Sequence, residues 1–215
     1  MVRLRVRFSR GPELKFISHL DIMRLLGRAL RRAGIAVAYS EGYNPRPRLA
    51  LAVPLAVGVT SRAELMDIFL KRLVSPHFFI TALNHQLPRG MEALEVYQAS
   101  PAQPSLQSLV RYAEYEVAVK TDKAEAEVRQ ALKSLLEKEE LSWQHKREEE
   151  MRHYDIRALV DDLWLSCLGE DVATIGMRLR CDPSGSGRPD QVAKALGFEE
   201  HPLSINRSRL ILEAS

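Results

Sequence analysis

Cysteine is nearly absent from this sequence: Cys167 and Cys181 are the only two among 215 residues. Two thiols cannot build a disulfide framework, a four-cysteine zinc site or a three-cysteine iron–sulfur site. Histidine is sparse as well, and none of the six (His19, His77, His85, His145, His153, His201) lies three to five residues from another. That excludes a metal site of helical spacing and leaves open one assembled from distant residues; neither metal nor cofactor is expected. Long apolar runs are also missing. A stretch such as residues 49–57, with Pro54 inside it, falls far short of the roughly 18 residues that cross a bilayer. Residues 2–8 alternate apolar residues with arginine and offer no secretory apolar core, so a cytoplasmic chain is expected.

The signatures of nucleotide-phosphate chemistry are missing too. The P-loop needs G-x-x-x-x-G-K-[ST] and the dinucleotide fingerprint G-x-G-x-x-G; the sequence has neither. Gly185-Ser186-Gly187-Arg188 therefore reads as a turn. Ser18, His19 and Asp21 stand close together, but a catalytic triad converges through tertiary contact rather than adjacency. Ser18 reads as a helix cap and His19 as an exposed phosphate or partner contact. An independent enzyme using His19 and Asp21 is the least favoured reading.

What remains is a chain of 46% apolar, 27% charged and 7% aromatic residues, the proportions of a soluble globular protein. Its length suits one large domain or two small ones. The net charge of +3 conceals an asymmetry: residues 1–62 hold twelve basic and three acidic residues, and the remainder 19 and 25. Eleven of the twelve early cations are arginine, whose planar fork suits phosphates and carboxylates and stacks on bases. A basic third on an acidic remainder points to a polyanionic partner; merely solvated charge is the plainer alternative.

Residues 2–8 show the period-two pattern of a strand, with Arg3, Arg5 and Arg7 expected on an exposed face. Ser18 then opens a helix that runs to about Ala33 and stops at Gly34. Its apolar side carries Ile22, Leu25, Leu26, Ala29, Leu30 and Ala33. Arg24, Arg28, Arg31 and Arg32 lie opposite, within about 100° of arc. A strand over 35–39 leads into the loop 39–48, where Tyr39, Tyr43, Asn44, Arg46 and Arg48 surround Pro45 and Pro47. Tyrosine faces can stack on unpaired bases and arginine can pair with phosphate, while proline keeps such a loop stiff. Alternatively, the loop is a rigid crossover with its tyrosines in the core.

Strands over 49–59, 64–71 and 91–98, with a helix over 75–86, complete an arrangement of ferredoxin-like order with one additional strand. The expectation is an α+β protein of two ferredoxin-like (βαββαβ-type) halves with antiparallel sheets. A basic domain spans 1–99, a Pro/Ser linker 100–108 and a second, acidic domain 109–215. The run Arg147-Glu148-Glu149-Glu150 reads as a solvated hairpin or helix end. Asp155 and Arg157 read as a surface pair or a contact to the first half.

Two segments carry a resemblance. Lys15-Phe16-Ile17-Ser18-His19-Leu20-Asp21-Ile22-Met23-Arg24, continued by Arg28-Ala29-Leu30-Arg31-Arg32-Ala33-Gly34, is one; Ala38-Tyr39-Ser40-Glu41-Gly42-Tyr43-Asn44-Pro45-Arg46-Pro47 is the other. Both are similar to the bacterial radical SAM-linked proteins, a domain encoded beside or fused to a radical SAM protein. The likeness is specific over 2–70 and looser from Val110 onward, where Asp155-Ile156-Arg157 also fits. The family usually has Phe at the position of Tyr43 and often His at that of Arg46. The resemblance implies a non-catalytic accessory to a radical SAM protein, and the family's gene neighbourhood suggests RNA. The expected binding residues for RNA or a protein partner are Arg3, Arg5, Arg7, His19, Arg24, Arg28, Arg31, Arg32, Tyr39, Tyr43, Asn44, Arg46 and Arg48. A protein-interaction module that docks the radical SAM partner without nucleic acid is the alternative.

Overall fold

A computed structural model describes residues 1–147 and 150–213, so Glu148 and Glu149 of the acidic run lie outside the described residues. The chain forms two compact units: Met1–Val110 joined by Glu213, and Arg111–Leu212. Both mix helices with antiparallel strands. Among the described residues, no helix is long and apolar enough to cross a membrane.

The first unit runs β1 (Val2–Arg10), α1 (His19–Arg32), β2 (Leu49–Leu51), β3 (Thr60–Leu70), α2 (Pro76–Asn84), β4 (Met91–Ala99) and α3 (Leu106–Leu109). Its strands lie in the order β4-β1-β3-β2, every neighbouring pair antiparallel. Alternation along β1 sends Leu4, Val6 and Phe8 into a core with Met66, Ile68 and Leu70 of β3. α1 closes it with Ile22, Leu26, Ala29 and Leu30, and α2 adds Phe79 and Leu83. The start of α1 is as expected: the Ser18 hydroxyl accepts from the Asp21 amide at 3.2 Å, a cap that stabilises a helix by about 1 kcal/mol.

Four sequence expectations change. The strand expected over 49–59 shortens to Leu49–Leu51, and Pro54 lacks the N–H that would continue a ladder. The opposite face of β1 is not exposed, because Arg3 and Arg5 are both 4% accessible. Asp67 stands across from Arg5 on β3 and receives both guanidinium groups. The strand expected over 35–39 reduces to bridges Val37↔Leu70 and Tyr39↔Pro47; Pro45 and Pro47 lack the N–H that a ladder needs. The segment 100–108, expected as a linker, belongs to the first unit. Arg3 donates to the carbonyls of Gln103 and Pro104, each at 2.8 Å, and Leu106 and Leu109 are buried.

The second unit contains β5 (Val110–Lys120), α4 (Glu125–Leu136), β6 (Ser142–Arg147), β7 (Glu150–Asp155), β8 (Val160–Leu168), β9 (Val172–Asp182), β10 (Gly185–Ser186), α5 (Pro189–Ala195) and β11 (Ser204–Leu212). β9 pairs antiparallel with β5, β8 and β10, and β11 neighbours β5. β6 and β7 form a separate two-stranded sheet. Val117 and Val119 of β5, Ile175 and Met177 of β9, and Val128 of α4 are buried. Asp155 and Arg157 are ties within this unit rather than a surface pair. The Asp155 carboxylate accepts from the Leu141 and Arg157 amides at 2.8 and 2.9 Å, and Arg157 donates to the carbonyls of Leu136 and Val160.

Candidate nucleic-acid interface

With its apolar stripe against the sheet, α1 must turn Arg24, Arg28 and Arg31 outward, and all three are exposed. The loop 39–48 meets that face. Its neck is closed by the Tyr39↔Pro47 bridge, by the Ser40 amide donating to Arg46 O at 2.8 Å and by the Arg46 amide donating to Ser40 Oγ at 3.0 Å. Gly42 turns the tip with φ +113°, a conformation available to glycine with little cost. Gly27 lets the loop approach: a Cβ there would stand 3.3 Å from Pro47 Cγ.

Helix and loop enclose a groove of about 900 Å³. Arg24, Arg28 and Arg31 line it from α1, and Arg46 and Arg48 from the loop. His19 lines the end near the helix start, and Tyr39 and Ser40 the loop side. The half-buried Met23, Gly27, Pro47 and Leu49 give it an apolar floor, and the exposed Leu20 and Pro45 also line it. Among the described residues no carboxylate lines this groove. Arg48 is held in place by Phe69, whose ring centroid lies 4.8 Å from its guanidinium carbon. Among the described residues Arg28, Arg31 and Arg46 make no ion pair, whereas Arg24 pairs with Asp21 at 2.9 Å. The Ser18 hydroxyl, then Arg24 and Arg28, hold the Asp21 carboxyl below its ordinary value.

Seven of the expected binding residues therefore meet in one groove: His19, Arg24, Arg28, Arg31, Tyr39, Arg46 and Arg48. Tyr43 and Asn44 stand exposed at the loop tip. Arg32 lies beside a second cavity of about 470 Å³, shared with Arg24 and Arg28, and donates to Gln86 O at 2.8 Å. Arg3, Arg5 and Arg7 are elsewhere. The first two are buried on Asp67, and Arg7 pairs with Glu95 at 2.6 Å. His19 lines the arginine groove, whereas Asp21 lines the second cavity and is engaged by Ser18 and Arg24. Among the described residues no three His, Cys, Asp or Glu side chains are placed to hold a metal. The apolar floor was missed by sequence reasoning; its one signal is Gly27, a glycine inside an otherwise regular helix, which marks a close approach.

A family model described as "Uncharacterized protein conserved in bacteria (DUF2344)" matches residues 3–189. No curated protein matches the chain. Among solved structures, it is similar to a chain in the crystal structure of a Cbf5-Nop10-Gar1 complex, with a TM-score of 0.52 and 11% identity over 97% of this chain. At that identity the likeness is one of fold. Chains in an archaeal box H/ACA sRNP Nop10-Cbf5 complex (10% identity, TM-score 0.47, 98% of this chain) and in an H/ACA RNP bound to a substrate RNA containing 2'-deoxyuridine (11%, 0.48, 97%) also match. This chain spans about half the length of each, 48%, 48% and 47%.

Proposed function

We propose that this chain, which belongs to the DUF2344 family of uncharacterised proteins conserved in bacteria, binds RNA through the arginine groove of its first unit. The observation that carries the reading is the groove's lining, which among the described residues holds five arginines and no carboxylate. Such a surface has a net attraction for a chain of phosphates, and release of the RNA's counterions drives the association. Arginine adds bidentate contacts to phosphate oxygens. Tyr39 in the groove and Tyr43 at the tip of the same loop favour a nucleic acid over an acidic peptide, since both supply ring faces on which bases stack.

We read the first unit, with its βαββαβ order and β4-β1-β3-β2 sheet, as a ferredoxin-like domain. The second unit is a related domain in which β5, β8, β9 and β11 take the equivalent places and the β6–β7 hairpin is an insertion. The role of the chain as a whole is non-catalytic: its first unit presents RNA to a radical SAM partner. That partner is carried by the sequence resemblance alone.

Docking of an acidic protein surface is a second reading, favoured by Phe16 just before α1 and Leu20 in its first turn, which are 72% and 63% exposed. The double variant Arg28→Glu, Arg31→Glu separates the two. Both side chains are exposed and, among the described residues, make no ion pair, so the fold is expected to survive the change, as far-UV circular dichroism will check. Electrophoretic retention of a labelled RNA should fall about a hundredfold or more. Retention equal to wild type overturns the RNA reading, and loss of protein co-purification with no RNA binding by either form selects the second.

A further inference from the structure

Resting on the RNA reading of this groove, we infer that its ligand is a single-stranded segment, with one unpaired base stacked on Tyr43 and a neighbouring base laid on the groove floor. Tyr43 has a relative exposure of 107%. An aromatic ring left wholly in water forgoes the large apolar burial such rings normally obtain. Here it stands at the tip of a loop zipped at its neck by the Tyr39↔Pro47 bridge and the Ser40–Arg46 hydrogen bonds. Pro45 and Pro47 restrict the backbone further. The ring is thus held out by a stiff support, and stacking a base on it orders little else.

The groove has the complementary layout. Arg24, Arg28 and Arg31 form one wall and Arg46 and Arg48 the other, with an apolar strip including Met23 and Pro47 between them. Phosphates on the walls leave a base directed to the strip. About 900 Å³ lies at the upper end of the range that encloses a small ligand, which suits one or two nucleotides. A duplex keeps its base faces stacked and paired and offers proteins chiefly its minor-groove edges, 2′-hydroxyls and phosphates. It can therefore use neither the strip nor the Tyr43 face.

The test is fluorescence anisotropy at fixed salt with a 12-nucleotide RNA lacking self-complementarity and with the same strand in a 12-base-pair duplex. Wild type should bind the single strand at least tenfold more tightly. Tyr43→Ala should weaken single-strand binding about fivefold or more and leave duplex binding unchanged, while Tyr43→Trp restores the single-strand affinity. Equal affinity for strand and duplex, or an unaltered Tyr43→Ala, overturns the inference. If Arg28→Glu with Arg31→Glu still abolishes binding in that case, the RNA reading stands without it; if wild type binds neither RNA, both fall.

Discussion

Pro47 lies across α1 at Gly27, its Cγ 3.3 Å from where a Cβ on that glycine would stand. A glycine inside a helix costs about 1 kcal/mol relative to alanine. The return is a seat for the loop, which sets Arg46 and Arg48 opposite Arg24, Arg28 and Arg31. Gly27→Val places a branched side chain in that seat and must lift Pro47. RNA affinity should fall several-fold while the far-UV circular dichroism of the helix holds. Unchanged affinity would show that the contact does not shape the groove.

Salt dependence measures how many phosphates the groove engages. Single-stranded RNA contributes a slope of about −0.7 in log K against log salt for each phosphate neutralised. With all five arginines engaged the slope is about −3.5, so affinity drops about a hundredfold between 50 and 200 mM salt. Arg31→Gln should flatten the slope by about 0.7, read from anisotropy titrations across that range. A slope near zero in wild type is incompatible with a phosphate-binding groove.

Much of the groove is visible in the sequence, because it is built from local signals. The period of Ile22, Leu26, Ala29 and Leu30 tells which side of α1 is buried and hence where its arginines point. The clustering of Pro45, Pro47, Tyr39 and Tyr43 marks a stiff, aromatic loop. Arg3 and Arg5 show where such reading stops. Alternation correctly separates them from Leu4 and Val6, yet it cannot say whether the second face of a strand is covered. That depends on Asp67, more than 60 positions away on β3, and on carbonyls of residues 100–104. Counting charge over residues 1–62 also stops just short of Asp67 and leaves out Glu95, the partner of Arg7. Gly27 lacks meaning until the tertiary approach of Pro47 is known.

The buried cluster of Arg3, Arg5 and Asp67 makes a stability prediction independent of RNA. Asp67 Oδ1 accepts from Arg5 Nε at 2.8 Å and Oδ2 from Arg3 Nε at 2.8 Å. Asp67→Asn retains the shape but leaves two buried guanidinium groups without a counter-charge. Breaking one partner of such a network costs about 3–5 kcal/mol. At a typical urea slope of about 2 kcal/mol per molar, the midpoint falls by roughly 2 M. The triple change Arg3→Met, Arg5→Met, Asp67→Leu should recover most of that loss, because it removes the buried charges together. A midpoint for Asp67→Asn within about 0.3 M of wild type, or about 0.6 kcal/mol, would mean the cluster is far wetter than its burial indicates.

Asp182, the last residue of β9, links the stability of the second unit to pH. Its carboxylate accepts from the hydroxyl of Ser184 at 2.5 Å, from the Ser184 amide at 2.8 Å and from Arg180 Nε at 2.8 Å. The Ser184 hydroxyl first, with Arg180 and the Ser184 amide after it, lowers the pKa from 3.8 to about 2. The folded chain thus prefers the ionised form more strongly than the unfolded chain does. The stabilisation is complete above about pH 4 and disappears as pH falls toward 2. Solvent screening at this strand end limits it to about 1 kcal/mol. Asp182→Asn should therefore be less stable than wild type by about that amount at pH 6, with the gap closing by pH 2, as urea unfolding at each pH will show. A carbon-detected NMR titration of the same carboxyl provides the direct check, since a midpoint near 4 would remove the linkage altogether.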